Sequence, residues 1–594
     1  MGREREVILN WKNSSYKVIS EAEKDRFKAF DRQLRFCQGI ALLFCFLLVC
    51  YLFAVQVIDV KHYRKKAKRQ RSAKSFVMRG PILDRNGIKL ASDQTSYNIY
   101  AHKEYFDHTP KELAEILAPY LNVNAKVLEK KIGASQSIIL LKKDVSRVTA
   151  EKIQGLELRE ISLDKKNERV YPQDSMAAHV LGFYNPDADI ASGIESVAKS
   201  KLEQVEKDVN FERTPSGDII YDVMTDPAMT TSPLKGKTVT LTLDSAIQHT
   251  CETELLKVIR TKKALRGSII VMNPKNGELL AYAVYPNYNP NNYKQASALQ
   301  LKNWSLTDVY PPGSTFKILT IASALENQRI TPSTKILDTG KIEIGGWTIS
   351  NYDYHKKPYP GWIDLYYLLE HSSNVGSVKV AMTMTSKEFY DVLTRFGIGH
   401  KTDIDLPGES SGLLPHFSTW DKSRKATMGY GYGASVTAMQ MASAASAIAN
   451  NGVRVTPHVI KYSPEEAETK IKSVQVMTPE NAHALTKLLA ESIERSKSPA
   501  KLDHYTVAAK TGTSKKTMEN GRGYTNKLYT SVIGYFPASN PQVLIYVVVD
   551  SASGGDVWGS TVAAPVFREV ALQTARIMNI TPDKNPPVKV KTRE

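Results

Sequence analysis

The sequence predicts an α+β protein in which a single N-terminal transmembrane helix precedes two folded regions. One uncharged apolar run, residues 36–58, lies near the start of the chain. Strand-like runs open and close residues 236–575, and helical stretches lie between them. At 594 residues the chain is too long for one hydrophobic core. We therefore expect at least two domains, the second with an antiparallel sheet that joins its two ends and is flanked by helices.

The apolar run is long enough to cross a bilayer core as a helix. A cleaved signal peptide has a shorter apolar segment, and here the charged residues 1–35 come first. A buried core helix is the alternative. We interpret residues 36–58 as a retained transmembrane helix and residues 1–35 as a cytoplasmic N-terminal segment. More basic residues follow the helix, between Lys61 and Lys74, than precede it, which taken alone favours the opposite orientation.

The chain has 79 Lys and Arg against 61 Asp and Glu, a formal charge of +18. Its most basic stretch directly follows the predicted membrane helix, where it would meet anionic lipid headgroups or simply be solvated. No nucleic-acid recognition motif accompanies the charge, so we expect no nucleic-acid partner. The sequence also has no paired cysteines and no HExxH motif, and we expect no metal and no cofactor.

Two folded regions follow the basic stretch. Residues 59–235 mix strand-like runs with charged helical stretches and end in a polar, proline-containing segment. Residues 236–575 begin with a hairpin pattern, GSIIVMNPKNGELLAYAVY, and end with the strand-like runs YTSVIGYF and PQVLIYVVVD. Residues 576–594 are rich in proline and basic residues, and we expect a disordered tail.

The first catalytic candidates lie where a Pro-Pro-Gly turn leads into a helix, in YPPGSTFKILTIASALE. Ser314 is near the amino end of this helix, and Lys317 follows one turn later on the same face. A serine hydroxyl needs a base to become a nucleophile, and a neutral lysine amine can serve. The helix N-terminus would stabilise a developing oxyanion. Because Ser-x-x-Lys occurs by chance in long chains, an exposed helical lysine is the alternative.

Two further motifs support a catalytic interpretation. Ser372, Ser373 and Asn374 form a Ser-x-Asn motif, and Lys510, Thr511, Gly512 and Thr513 end a strand-like run. Ser-x-x-Lys, Ser-x-Asn and Lys-Thr-Gly in this order are typical of penicillin-recognising serine enzymes.

With these motifs the sequence resembles the class B penicillin-binding proteins, D,D-transpeptidases of bacterial wall synthesis. RGPILDRNGIKLA (residues 79–91) and GIE (residues 193–195) resemble motifs of the family's pedestal, or dimerisation, domain, in which Arg169 and Glu195 would form an ion pair. YNPNNY and LPGE favour the septal type, called FtsI. The resemblance implies that residues 59–235 are the pedestal and residues 236–575 the transpeptidase domain.

The resemblance also implies a role for each motif residue. Ser314 would attack the carbonyl between the two terminal D-alanines of a stem peptide, and Lys317 would take its proton. Ser372 would relay the proton to the departing amine, and Asn374 would orient Lys317. Lys510, a further catalytic residue, would supply its charge, and Thr511 and Thr513 their hydroxyls, for the substrate's terminal carboxylate. Gly512 belongs to the same substrate-binding segment.

Partners follow from the same resemblance. We expect peptidoglycan stem peptides as substrates, β-lactam antibiotics as inhibitors, and an FtsW-like glycan polymerase and other divisome proteins as partners. The protein would be a single-pass protein of the cytoplasmic membrane with its catalytic domain outside. An elongation-type transpeptidase, a membrane-anchored β-lactam sensor or β-lactamase, a bifunctional class A enzyme and a non-enzymatic divisome scaffold are the alternatives.

Overall fold

The computed structural model describes residues 78–186, 188–204, 236–354, 359–518 and 523–584, with a few short stretches before residue 78 and between residues 205 and 235. The chain divides into two compact units. One comprises Met1–Phe76 and Lys207–Pro233, and the other comprises Val77–Glu206 and Leu234–Glu594. The motifs quoted above belong to the second unit.

In the first unit the structure describes two strand pairs and part of a helix. The pairs are Val7–Ile8 with Lys17–Val18 and Glu212–Arg213 with Ile219–Ile220. Residues 38–49 of the predicted membrane helix 36–58 are helical, whereas residues 37, 50 and 52–58 lie outside the described residues, as does most of the segment 1–35. No helix in the described part of the chain is both long and apolar enough to cross a membrane. The transmembrane helix therefore stays a prediction.

The long strand Lys89–His102 organises the first folded region. It pairs antiparallel with Ile138–Ser146 and with Ile161–Val170, and near its start with Ile82–Leu83, which Val239–Thr240 joins in parallel. The helices here are Pro110–Leu121, Ala125–Ile132, Arg147–Gln154, Ala178–Leu181, Gly193–Val197 and Lys199–Glu203, with a 3₁₀ turn at Lys103–Tyr105 and a strand pair Tyr184–Asn185 and Ile190–Ala191. A capping box of Thr109 and Glu112 begins the first of these helices.

A five-stranded antiparallel sheet forms the centre of the second region, as the sequence predicts. The strand order is Leu279–Tyr285, Arg266–Met272, Val543–Asp550, Tyr524–Phe536 and Ala508–Thr517. Strands from both ends of the region therefore lie side by side. The last of these strands, Ala508–Thr517, carries Lys510 to Thr513 and is at the sheet edge, and we call it the KTG strand.

Helices cover both faces of this sheet. Ile269 and Val271 pack with helices Ser245–Thr261 and Ala564–Ile577 on one face. Ile270 and Met272 belong to the larger core on the other face, because successive strand residues point to opposite sides. The other helices are Ala298–Leu301, Trp304–Thr307, Lys317–Glu326, Leu365–Glu370, Asn374–Thr383, Ser386–Arg395, Lys422–Gly429, Ala438–Ala449, Pro464–Lys470 and Pro479–Arg495.

Short elements complete the second region. Their strand pairs are Ile336–Asp338 with Gly361–Ile363, Lys341–Ile344 with Trp347–Ser350, and Val453–Val455 with Ser473–Gln475. Its 3₁₀ and π turns are Pro290–Gln295, Gly313–Phe316, Phe417–Thr419 and Gly559–Ala563.

The YNPNNY segment lies where the two folded regions meet. The Asn291 side-chain amide accepts from the Tyr171 backbone N–H at 2.9 Å and donates to its carbonyl at 3.0 Å. The Tyr288 hydroxyl donates to Ala178 O at 3.1 Å. These hydrogen bonds satisfy polar groups at the interface between the first and the second folded region.

Residues 576–584, the first part of the predicted disordered tail, are packed against the second region, so the prediction is wrong for them. The final helix continues to Ile577, and Ile580 is buried and accepts a hydrogen bond from the Tyr505 hydroxyl. The Asp583 carboxylate accepts from the Thr506 backbone N–H at 2.7 Å. Burial of Ile580 and these two hydrogen bonds keep the segment folded, although its polar composition favours disorder. Residues 585–594 lie outside the described residues.

Candidate active site

The candidate nucleophile lies in a tight turn pressed against the KTG strand. Gly313–Phe316 form one 3₁₀ turn, which we call the serine turn, and the helix Lys317–Glu326 continues from it. Gly313 has a φ of +58°, and a Cβ at this position would lie 2.8 Å from Ser514 Cβ. The Ser514 hydroxyl donates to Pro311 O at 2.6 Å. Glycine is therefore required both by the left-handed backbone and by the close approach of the strand.

Lys317 follows one turn after Ser314, as predicted, and its side chain is fully buried. Its ammonium donates to Ser372 O at 2.5 Å, to Ser372 Oγ at 3.2 Å and to Asn374 Oδ1 at 2.8 Å. Burial and the nearby Lys510 charge hold the pKa of Lys317 well below its usual range, and the Asp338 carboxylate opposes this shift. The neutral amine, the form that can accept a proton, therefore forms more readily than on an exposed lysine.

The Ser-x-Asn motif is a strained turn at the start of the helix Asn374–Thr383. Ser372 has a left-handed φ of +55°, which is uncommon for a residue other than glycine. Ser373 is the N-cap, and its hydroxyl oxygen accepts from the Gly376 backbone N–H at 2.8 Å. This geometry turns both the Ser372 carbonyl and the Asn374 amide toward Lys317.

On the KTG strand, Lys510 is almost fully buried, and its ammonium donates to Thr511 O at 3.1 Å. Burial lowers the pKa of Lys510 to about 8. A Cβ on Gly512 would lie 2.9 Å from Thr315 Cγ2, so glycine allows the strand to contact the serine turn. Thr513 Oγ1 accepts from the Gly559 backbone N–H at 3.0 Å. The three motifs are thus brought to one place.

Sequence reasoning missed two residues at this site. Asp338 is fully buried and ends the strand Ile336–Asp338, and Asn351 follows the strand Trp347–Ser350. Both residues hydrogen-bond to the Ser-x-Asn motif. Neither has a signature in the sequence, because its role depends on where two short strand pairs place it.

No cluster of three or more metal-ligating side chains occurs among the residues that the structure describes.

Comparison with known families assigns the architecture. Residues 267–572 match the penicillin-binding protein transpeptidase domain, and residues 74–241 match the penicillin-binding protein dimerisation domain. The chain belongs to the class B penicillin-binding proteins.

Named relatives agree with this family. Peptidoglycan D,D-transpeptidase FtsI of Escherichia coli strain K12 is 30% identical over 514 residues, which cover 85% of this chain and 84% of that protein. Stage V sporulation protein D of Bacillus subtilis strain 168 is 30% identical over 524 residues, which cover 85% and 79%. A crystal structure of a peptidoglycan synthetase from Bifidobacterium adolescentis ATCC 15703 matches with a TM-score of 0.65 and 25% identity, covering 87% of this chain and 98% of that one.

This penicillin-binding protein is a peptidoglycan D,D-transpeptidase with the predicted α+β fold. Its substrate is peptidoglycan, and β-lactams bind to it. The dimerisation-domain match favours a class B transpeptidase over a β-lactamase, a β-lactam sensor or a class A enzyme.

Proposed function

We propose that this transpeptidase cross-links stem peptides during cell division through an acyl-enzyme on Ser314. The observation that carries the proposal is the buried Lys317 amine, one turn after Ser314 and close to a second buried lysine. Burial and the second lysine lower the pKa of Lys317, which favours the neutral amine that an internal base needs.

In the acylation step, Ser314 Oγ attacks the carbonyl carbon between the two terminal D-alanines and Lys317 takes the hydroxyl proton. Collapse of the tetrahedral intermediate breaks the peptide bond, and the leaving amine receives a proton through Ser372, whose hydroxyl is 3.2 Å from Lys317 Nζ. The backbone N–H groups of Ser314 and Thr513 stabilise the oxyanion. The amine of a second stem peptide then attacks the acyl-enzyme, forms the cross-link and returns the proton to Ser314.

The KTG strand holds the donor. Protonated Lys510 and the Thr511 and Thr513 hydroxyls bind the terminal carboxylate, and Gly512 keeps the strand close to the serine turn. Asn374 orients Lys317 through the 2.8 Å hydrogen bond to its Oδ1, and its Nδ2, which donates to Ser350 O at 3.0 Å, would turn to the donor's amide when the substrate binds. A β-lactam enters by the same route, opens on Ser314 and remains bound because it deacylates slowly.

The septal assignment draws on the YNPNNY and LPGE segments and on similarity to the E. coli protein named FtsI. Residues 36–58 anchor the protein in the cytoplasmic membrane as a single span, with residues 59–235 as pedestal and residues 236–575 as transpeptidase domain outside. Its partners are an FtsW-like glycan polymerase and other divisome proteins. An elongation role is the competing assignment.

Two experiments test these proposals. Ser314→Ala should abolish labelling of the purified full chain by a fluorescent penicillin, and persistent labelling would exclude Ser314 as the nucleophile. A fluorescent fusion should concentrate at midcell in dividing cells. A fusion spread along the side wall would replace the septal assignment with an elongation role.

A further inference from the structure

The Ser372 turn needs support from its surroundings. Its carbonyl and hydroxyl both accept from Lys317, yet its φ of +55° is costly for a serine. Such a conformation persists only where neighbouring interactions determine it. The residues that stabilise the Ser372 turn therefore also affect the position of Lys317.

Asn351 provides one support. Its Oδ1 accepts from the backbone N–H groups of Asn374 at 2.8 Å and Val375 at 3.1 Å. These are among the first N–H groups of the helix, which have no partner within it. The side-chain amide of Asn351 in turn donates to both Asp338 oxygens, at 3.1 Å and 3.0 Å. Asn351 thus connects the helix start to a buried carboxylate.

Asp338 provides the second support. Its side chain is fully buried, and its Oδ2 accepts from the Ser373 hydroxyl at 2.5 Å. Its Oδ1 also accepts from the Gly340 backbone N–H at 2.8 Å. Ser373 lies between Ser372 and Asn374, the two residues that accept from Lys317. The hydrogen bond from Ser373 to Asp338 therefore holds the centre of the turn in place. With these donors in place, the buried carboxylate is well satisfied.

We propose that Asp338 and Asn351 are positioning residues of the transpeptidase, which hold Ser372 and Asn374 where they can orient Lys317. This inference rests on the proposed role of Lys317 as base. Neither residue contacts Lys317 through a hydrogen bond among the described residues, and each orients it through the turn that does. The Asp338 charge also acts on Lys317 directly, but it opposes the fall in the lysine pKa, so its removal alone would not slow acylation. The proposal differs from a general packing role because it predicts an effect on chemistry more than on ligand binding.

The test measures benzylpenicillin acylation of the purified full chain, separating the dissociation constant of the initial complex, Kd, from the acylation rate constant, k2. Asp338→Asn places an amide beside the Asn351 amide, so at least one hydrogen bond to Asn351 is lost. Because a displacement of about 1 Å can cost 100-fold in rate, we expect k2 to fall about 10-fold to 100-fold. Kd should stay within about threefold, because the lysine and threonines of the KTG strand are untouched.

The exchange variant Asp338→Asn with Asn351→Asp restores one carboxylate and one amide in reversed positions. A carboxylate at position 351 can still accept from the Asn374 and Val375 N–H groups, and the amide opposite can donate to it. We expect k2 to recover to within about fivefold of the wild type, a coupling typical of contacting residues.

Asp244→Asn is a matched control. Asp244 is likewise a buried carboxylate next to a helix start. It caps Ser245–Thr261, accepting from Ala246 N at 3.0 Å and from the Asn86 side chain at 2.9 Å. Its loss should lower the melting temperature by an amount similar to that for Asp338→Asn and leave k2 unchanged.

Three outcomes would overturn the positioning role. The first is an unchanged k2 in Asp338→Asn, and the second is an equal effect of Asp244→Asn on k2. The third is an exchange variant whose k2 is no higher than that of Asn351→Asp alone. If Asp338→Asn fails to fold, the comparison of the exchange variant with Asn351→Asp carries the test.

The assignment of Ser314 as nucleophile and the positioning role of Asp338 and Asn351 are contradicted by different results. Labelling of Ser314→Ala overturns the nucleophile, whereas an unlabelled Ser314→Ala with normal k2 in Asp338→Asn overturns the positioning role alone.

Discussion

The active site and the pedestal bury charged side chains in opposite ways. In the pedestal, Glu195 accepts from both Arg79 Nε and Arg169 Nε at 2.6 Å, and Asp93 pairs with Arg169 at 3.1 Å. Lys317, by contrast, donates among the described residues to the neutral oxygens of Ser372 and Asn374.

The pKa directions follow this difference. The pKa of Arg169 is raised, because its carboxylate partners more than offset burial. The pKa of Lys317 is lowered, because burial and Lys510 disfavour its charge. Paired buried charges hold the pedestal together, whereas an unpaired buried amine is prepared for proton transfer.

Removing the unpaired amine should have the largest effect on activity. Lys317→Met keeps an apolar stem of similar length and deletes the base, so we expect acylation by a fluorescent penicillin to fall by about 10³-fold or more. The variant loses three hydrogen bonds but also removes a costly buried amine, so the melting temperature should fall less than for a broken buried charge pair. A variant that is acylated at the wild-type rate would contradict the role of Lys317.

Removing the centre of the pedestal network should have the largest effect on stability. Glu195→Gln leaves two buried guanidinium groups facing an amide, and we expect a loss of about 3 kcal/mol in unfolding free energy by denaturant titration. The acylation rate of the folded protein should remain unchanged.

Glu203→Gln is the control for Glu195→Gln. Glu203 also pairs with Arg79, at 2.5 Å, but its side chain is 42% exposed. Its loss should therefore cost less than about 1 kcal/mol. Equal losses for the two variants would contradict the distinction between buried and exposed pairs.

The pH dependence of the acylation rate should depend on the protonation states of Lys317 and Lys510. Acylation needs neutral Lys317 and protonated Lys510, and burial lowers the pKa of Lys510 to about 8. The rate should therefore decline as the pH rises through about 8. Lys510→Arg, whose guanidinium stays protonated, should move this decline to higher pH. An identical decline in both proteins would exclude Lys510 as its source.

Lys510 also links stability to pH. Its pKa is lower in the folded chain than its ordinary value of 10.5, so the unfolded chain binds more protons between about pH 8 and that value. The contribution of Lys510 to stability should therefore rise with pH across this window. Urea titrations of wild type and Lys510→Arg at several pH values would measure it, and parallel pH curves for the two proteins would contradict it.

The smallest expected effect concerns the contact between the KTG strand and the serine turn. Ser514→Ala removes the hydrogen bond to Pro311 O and should cost about 1 kcal/mol. Acylation should decline only a few-fold, because Gly313 and Gly512 still allow the close approach. Ser323→Ala removes a buried hydroxyl that donates to Leu319 O at 2.7 Å within the helix and should leave acylation unchanged.

Much of the fold followed from local patterns. The hairpin around residues 273–277 and the apolar run PQVLIYVVVD predicted sheet strands, and the structure pairs them through Val543–Asp550. The order of the strands could not be predicted, because it depends on contacts between distant parts of the chain. The packed residues 576–584 were missed for the same reason, since Asp583 finds its partner at Thr506.

The sequence by itself determined the family and the three motifs, because Ser314 with Lys317, Ser372 with Asn374, and Lys510 with Thr513 are each set by short spacings. Only the tertiary structure decided that Lys317 is buried beside Lys510 and that Asp338 and Asn351 hold the Ser-x-Asn turn. Desolvation, Coulomb repulsion and hydrogen bonding all depend on distances of a few ångströms. Those distances exist only after residues far apart in the chain have packed together.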